Sequence, residues 1–457
     1  MWARGSWPHP AGASHPGALP TEGQLSHPIG TAPPRRGIAP VWQQPEGSAF
    51  TPSARPHAAA LAVAYQGGMS SPAGLLRIGL TRLSGRSAVS VKLGAAGVLA
   101  DAATGERVRT LAPGESLRLA VDYNTGEVVV RGAGYSVRRQ TVSLRGGVLQ
   151  VEGRRYPDTL LCRVAGAGLQ LVNQVDVERY LEGVLPGELP AWFGLEAQKA
   201  LAVCARSYAL VQRGKHGDFD LCDRPHCQMY VGLGPGGARA LAAVQATRGL
   251  ALWSGEELVY AFYSADCGGV STGLEEVPLT DKPPGTKPYL RVVRDRNPAG
   301  KDYCAGSPYH YWRVSLTRQA LQNRLNKDPE TRIGQLQSVE VRRVDASGRV
   351  ADVVLRGRVA QRDPSTGASS LIPVEKQTTG WALRRAVGSL RLKSTRMRIE
   401  AVGSAGYRFI GSGFGHGLGL CQIGADGRAK AGQSFQQILA VYYPNARVAP
   451  LSVASQP

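Results

Sequence analysis

Glu188, with a set of imidazoles and thiols downstream of it, holds the best means for chemistry in this 457-residue chain. Glu188 follows Pro186-Gly187 and precedes Leu189-Pro190, so prolines on both sides remove donors and restrict the backbone. That context predicts a carboxyl held on a defined bend. Val184, Leu185, Leu189 and Trp192 flank it, and apolar walls disfavour a charged carboxylate, which makes Glu188 a candidate proton donor near neutral pH. A surface carboxylate capping the next helix is the plainer alternative. His216, Cys222, His226 and Cys227 place two imidazoles and two thiolates within twelve residues. This donor set suits a tetrahedral, structural Zn²⁺. The adjacent His226-Cys227 pair departs from zinc-finger spacing, and one buried thiol among surface histidines would need no metal. With four protein ligands no position stays open for a metal-bound water, so such an ion would be structural.

Two glycine-rich segments are further candidates. In Ser264-Ala-Asp-Cys267-Gly268-Gly269 the thiol invites a nucleophile reading, and the glycines allow close backbone approach to a ligand. A packed thiol at a strand-end turn is the competing account. Gly411 to Gln422 lacks the preceding βαβ pattern and the following acidic residue of a dinucleotide loop. It reads as a groove wall carrying His416 and Gln422, or as a plain glycine-rich turn.

The elements that must position these residues predict an α+β fold: a β-rich N-terminal part, a helical catalytic segment and Gly-rich loops. Residues 1–75 are rich in Pro, Gly and His and read as a disordered leader. Residues 76–172 alternate short β-type runs with turn signals such as Thr104-Gly105 and Thr125-Gly126. Residues 173–275 hold the catalytic and metal residues, with a short helix from Asp176 ending at Gly183, a long one over 196–212, another over 238–248, and a hairpin over 251–263. Residues 276–450 begin with a long loop and continue with a helix from Thr317, a hairpin around Ser347-Gly348 and a final helix over 435–443. Residues 451–457 are a tail.

Fifty-four basic against 34 acidic residues give a net charge of +20, which attracts polyanions. The arginines are dispersed, with no RNA-binding aromatic signature, zinc-finger helix or compact lysine block, so nucleic acid is not the expected partner. An odd count of seven dispersed cysteines argues against a dense disulfide framework and leaves room for one bridge. No apolar run approaches a membrane span. The start shows no clean signal peptide; the short apolar run 57–65 lies far from it, and initiation at Met69 would leave no export signal.

Together the motifs resemble the stage II sporulation protein D family, also called the amidase-enhancer or LytB-like family. The resemblance is carried by Tyr180-Leu-Glu-Gly-Val…Gly187-Glu188-Leu-Pro, by Glu196 through Ala-Arg206-Ser-Tyr208, by Asp220-Leu-Cys222…His226-Cys227-Gln228-Met-Tyr230, by Ser264…Cys267-Gly-Gly, and by Gly413-Phe-Gly-His-Gly-Leu-Gly-Leu-Cys-Gln-Ile-Gly. It covers residues 76–448. It implies a lytic transglycosylase acting on peptidoglycan glycan strands, or a wall-binding protein that stimulates a separate amidase, located in the periplasm or cell wall. The family's catalytic glutamate falls on Glu188 and its zinc ligands on His216, Cys222, His226 and Cys227. Arg206, Gln228, Tyr230, Ser264 and His416 would then line or support the substrate groove, joined by Cys267, Gly268, Gly269 and Gln422. Leu189, Cys204 and Phe193-Gly194 depart from the residues usual at those positions. A zinc-dependent hydrolase is the third reading, disfavoured by the four-ligand set.

Overall fold

The computed structural model describes residues 74–451, except 235–236, 280–281, 363 and 366. The leader, the run 57–65 and Met69 lie outside the described residues, as does most of the tail. Among the described residues there are seven α-helices and twenty-four strands, the mixed α+β class the sequence predicts.

The β-rich part forms two sheets. One orders its strands 221–222, 75–79, 168–176, 159–165, 141–145, 97–101 and 107–111; the other orders 154–156, 149–151, 88–92, 116–122, 127–132 and 135–139. Alternation along the strands drives the packing: in Ala88–Lys92, Val89 and Val91 are buried while Ser90 and Lys92 are exposed. Strand Gly168–Asp176 runs across the expected division at 172, pairing with Leu75–Gly79 in antiparallel register. The short strand Leu221–Cys222 joins the same sheet in parallel to Ile78–Gly79, so the candidate metal loop is built onto the β-rich part.

Seven helices follow: α1 (Val177–Glu188), α2 (Leu195–Val211), α3 (Ala238–Ala246), α4 (Arg318–Leu325), α5 (Gly380–Val387), α6 (Gln422–Lys430) and α7 (Phe435–Tyr442). Asp176 caps α1 by accepting the Glu178 N–H, as its sequence position suggests. The expected end at Gly183 is wrong: α1 runs five residues further, through Pro186, and Glu188 is its last residue. Helix α2 matches its expected span to within a residue. It is buried on nearly every side from Ala197 to Ala209, including Gln198, whose amide donates to the Phe193 carbonyl. Its many alanines let α1, α3, α6 and α7 all approach it.

The expected hairpin over 251–263 is shorter. Leu250–Ser254 turns at Gly255 into Glu257–Leu258, and Tyr263–Ser264 leaves to pair in parallel with Leu420–Cys421. Between the short 3₁₀ turn Leu274–Glu276 and the strand Trp312–Thr317 the chain is loop among the described residues, as expected. A separate core gathers Leu321, Leu325, Leu355, Leu383 and Phe409 between α4, α5 and two three-stranded sheets. No helix among the described residues is long and apolar enough to cross a membrane.

Candidate active site and metal cluster

Glu188 is 5% exposed and sits in the wall of a cleft of about 320 Å³. The C-terminal end of α1 reaches this place because Gly183 and Gly187, one helical turn apart, bare a face of the helix. A Cβ on Gly187 would stand 2.1 Å from the Met229 carbonyl oxygen, and one on Gly183 would stand 2.5 Å from the Tyr230 ring. The segment 228–232 therefore lies directly against α1, and Val231 donates its N–H to the Gly183 carbonyl at 3.1 Å. That contact brings the Met229 N–H onto Glu188 Oε1 at 2.7 Å. From the opposite side Gln422, first residue of α6, donates its amide to the Glu188 carbonyl at 3.3 Å. Both ends of the glutamate are held. The defined bend expected at Glu188 is thus a helix end: Pro186 lies within the last turn, which the Leu189 N–H closes onto Leu185.

The cleft also gathers Ser264, His416 and Gln422, along with His226 and Cys227 of the metal cluster. Ser264 accepts the Gly417 N–H at 3.2 Å, tying the 262–265 segment to the glycine-rich loop. Glycine is required in that loop at Gly419, whose φ is 70° and whose Cβ would meet the Phe262 carbonyl oxygen at 2.0 Å. His416 Nδ1 accepts the Leu418 N–H at 3.0 Å, so a proton on the neutral ring resides on Nε2. Desolvation, with Arg384 and Arg349 adding repulsion, lowers the imidazole to about 4. His416 is a neutral wall of the cleft at neutral pH.

Several expected groove residues stand elsewhere. Arg206 is wholly buried and forms a two-point ion pair with Glu178, Nε to Oε1 at 2.9 Å and Nη2 to Oε2 at 2.6 Å, and donates to the Leu250 carbonyl at 2.8 Å. It fastens α2 to α1 and to the strand beginning at Leu250, and touches no part of the cleft. Tyr230 is also fully buried, its hydroxyl donating to Asn173 at 2.8 Å. Gln228 is buried behind the cleft, receiving the Tyr180 hydroxyl at 3.1 Å and donating to the Tyr263 hydroxyl at 3.0 Å. Cys267, Gly268 and Gly269 lie outside the cleft lining, and Cys267 is fully buried, as for a packed thiol at a strand-end turn. The aromatic lining, Tyr208, Phe262, Tyr263 and Phe414, and the cation Lys215 went unrecognised in sequence. Tyr208 stands in the Ala-Arg-Ser-Tyr block, one helical turn from Cys204; its place in the cleft lining had no separate signal.

The four candidate metal ligands do come together. Donor atoms of His216, Cys222, His226 and Cys227 all lie within 4.8 Å of one another. His216 Nε2 is 3.1 Å from Cys227 Sγ, and His226 Nδ1 is 3.4 Å from the same sulfur and 3.9 Å from Cys222 Sγ. A tetrahedral ion with bonds of about 2.0–2.3 Å requires ligand separations of roughly 3.6 Å, so the set fits such an ion. The Cys227 thiol, with the two imidazoles, favours the Cys222 thiolate and holds it well below the usual thiol range, while Cys227 is pushed up as its partner. Asp220 anchors the loop: its carboxylate accepts the Arg77 backbone N–H at 2.8 Å and the Arg77 guanidinium at 3.0 Å. Cys227 is two residues before Met229, whose N–H meets Glu188.

Residues 165–253, which include Glu188 and all four candidate ligands, match the family described as SpoIID, stage II sporulation protein. The chain is 28% identical over 299 residues to the amidase enhancer of Bacillus subtilis (strain 168), covering 58% of this chain and 39% of that protein. It is 27% identical over 335 residues to an uncharacterized protein of Brachyspira hyodysenteriae (strain ATCC 49526 / WA1), covering 71% of this chain and 82% of that protein. The chain thus spans well under half the length of the amidase enhancer it resembles. The motifs stand in order and the candidate ligands assemble beside Glu188, and the match over residues 165–253 together with the amidase enhancer relative supports the resemblance to the SpoIID, or LytB-like, family.

Proposed function

We propose that the protein is a peptidoglycan lytic transglycosylase that cleaves the bond between N-acetylmuramic acid and N-acetylglucosamine with Glu188 as its single acid and base. The observation that carries this reading is the composition of the cleft: among the described residues lining it, Glu188 is the one carboxylate. Hydrolytic glycosidases generally place two carboxylates across the scissile bond. A lone carboxyl suits a reaction in which the sugar supplies the nucleophile. Glu188 would protonate the leaving oxygen, the muramyl 6-hydroxyl would attack its own anomeric carbon, and Glu188 would take up the hydroxyl proton. The glycosidic C–O bond breaks as the 1,6-anhydro bond forms, with no water consumed. Acid–base catalysis of this kind contributes roughly 10²- to 10⁴-fold, and holding the hydroxyl near its target adds several kcal/mol more, on the order set by intramolecular reactions.

The remaining lining supports the same substrate class. Tyr208, Phe262, Tyr263 and Phe414 offer apolar faces for sugar rings, and Lys215 and the net charge of +20 favour an anionic polymer. The His216, Cys222, His226 and Cys227 set would hold a structural Zn²⁺, whose chemistry is to fix the loop that presents the Met229 N–H to Glu188. This reading places the protein outside the cytoplasm, at the wall.

A second reading, stimulation of a separate N-acetylmuramoyl-L-alanine amidase, draws on the printed name of the Bacillus relative. One experiment separates the two. Purified protein and Glu188→Gln are incubated with defined glycan strands, alone and with an amidase. The transglycosylase reading expects 1,6-anhydromuramyl ends from wild type alone and none from Glu188→Gln. Stimulation of the amidase by Glu188→Gln, with no sugar release by wild type, would favour the second reading.

A further inference from the structure

A second cluster of metal-binding side chains lies behind the cleft, assembled from three distant segments. Cys267 ends the 263–267 segment, Cys304 belongs to the long loop before Trp312, and Cys421 precedes α6. All three thiols and the Asp266 carboxylate are at most 1% exposed, and their donor atoms lie within 4.8 Å of one another. Cys267 and Cys304 have their sulfurs 3.8 Å apart. That is nearly double the about 2.05 Å of a disulfide. It equals the edge of a tetrahedron whose centre binds sulfur at about 2.3 Å, which comes to about 3.8 Å.

Two further observations point to an ion. Cys421 Sγ accepts two backbone N–H groups, from Cys267 at 3.2 Å and from Gly424 at 3.3 Å, the second at the N-terminus of α6. Both donors and the helix dipole favour a thiolate. Asp266 accepts the Gly268 N–H on Oδ1 at 2.7 Å, yet its Oδ2 is buried without a hydrogen-bond partner. A buried carboxylate oxygen left unpaired is costly unless something cationic meets it. His310, with Nδ1 3.7 Å from Asp266 Oδ1 and Nε2 3.3 Å from Asp302, closes the cluster on its other side. The buried guanidinium of Arg349 donates to the Cys267 carbonyl at 3.0 Å and offsets negative charge there.

We propose that Cys267, Cys304 and Cys421, with Asp266 as fourth ligand, hold a second structural divalent cation of the zinc class. Three thiolates and one carboxylate select a borderline-soft ion over calcium or magnesium. The ion joins the long loop to both walls of the cleft: Cys267 is three residues from Ser264, and Cys421 is followed by Gln422, which holds the Glu188 carbonyl. The site is independent of the reaction proposed above.

The test is metal content of the full chain produced with zinc and purified under reducing conditions. Wild type is expected to carry two equivalents of zinc, Cys222→Ser one, and Cys421→Ser one. X-ray absorption at the zinc edge of wild type, which needs no variant to fold, is expected to show five thiolates shared by two ions. A single equivalent in wild type that Cys222→Ser removes would overturn the proposal. So would a Cys267–Cys304 disulfide found in a non-reduced digest of the zinc-grown protein.

Discussion

Arg206 and Glu188 lie in neighbouring motifs, yet they do opposite work. The Arg206–Glu178 pair is buried at both ends, and breaking such a pair leaves one charge uncompensated at a cost of about 3–5 kcal/mol. Arg206→Met is therefore expected to lower the thermal midpoint sharply, while the fraction that stays folded keeps its KM for glycan strands; titration of folded protein by circular dichroism beside the kinetics checks both. A change in KM with unchanged stability would return Arg206 to the groove. His416 offers a pH test. Its folded value of about 4 lies below the ordinary 6.5, so the unfolded chain binds the proton first. Stability contributed by the neutral imidazole is complete above pH 6.5 and is lost as pH falls toward about 4. His416→Phe should show a shallower loss of melting temperature across that window than wild type; parallel curves would contradict it.

Helix α1 shows what the sequence could and could not disclose about its elements. Its start was legible because Asp176 is a strong cap. Its end was not. Gly183 read as a stop, but the segment 228–232 packs into the space Gly183 and Gly187 leave and keeps the last turn helical. Tertiary contact overrode local propensity. Gly187→Ala tests this directly: its Cβ would meet the Met229 carbonyl oxygen at 2.1 Å. We expect a loss of about 1–3 kcal/mol in a denaturant titration, together with impaired turnover, as for an overpacked contact. A neutral effect on both would show that the helix end does not rest on that close approach. The glycine-rich loop read equally as a groove wall carrying His416 and Gln422 or as a plain turn, and both residues line the cleft. Which aromatic faces line the cleft was not, because α2 is buried nearly all round and its periodicity names no single face.

Among the described residues the cleft is lined from the helical centre and from the glycine-rich loop of the β/α part, and the candidate metal loop ties the helical centre to the β-rich part through the pairing of 221–222 with 78–79. Four ligands within twelve residues could be read in sequence because they are close; Cys267, Cys304 and Cys421 could not, because spacing carries no information across 154 residues. Chelation of the proposed zinc should free the 214–229 loop, shift the Met229 N–H away from Glu188 and lower both melting temperature and turnover. Restoring zinc should recover both, and unchanged turnover in fully stripped, folded protein would separate the cluster from the active site. The account turns on Glu188 moving one proton while the substrate closes on itself. The most direct measurement is mass spectrometry of products from defined glycan strands digested in heavy-oxygen water, with Glu188→Gln beside wild type. The account predicts 1,6-anhydromuramyl ends that carry no solvent oxygen and no product from Glu188→Gln; labelled reducing ends, or undiminished turnover by Glu188→Gln, would contradict it.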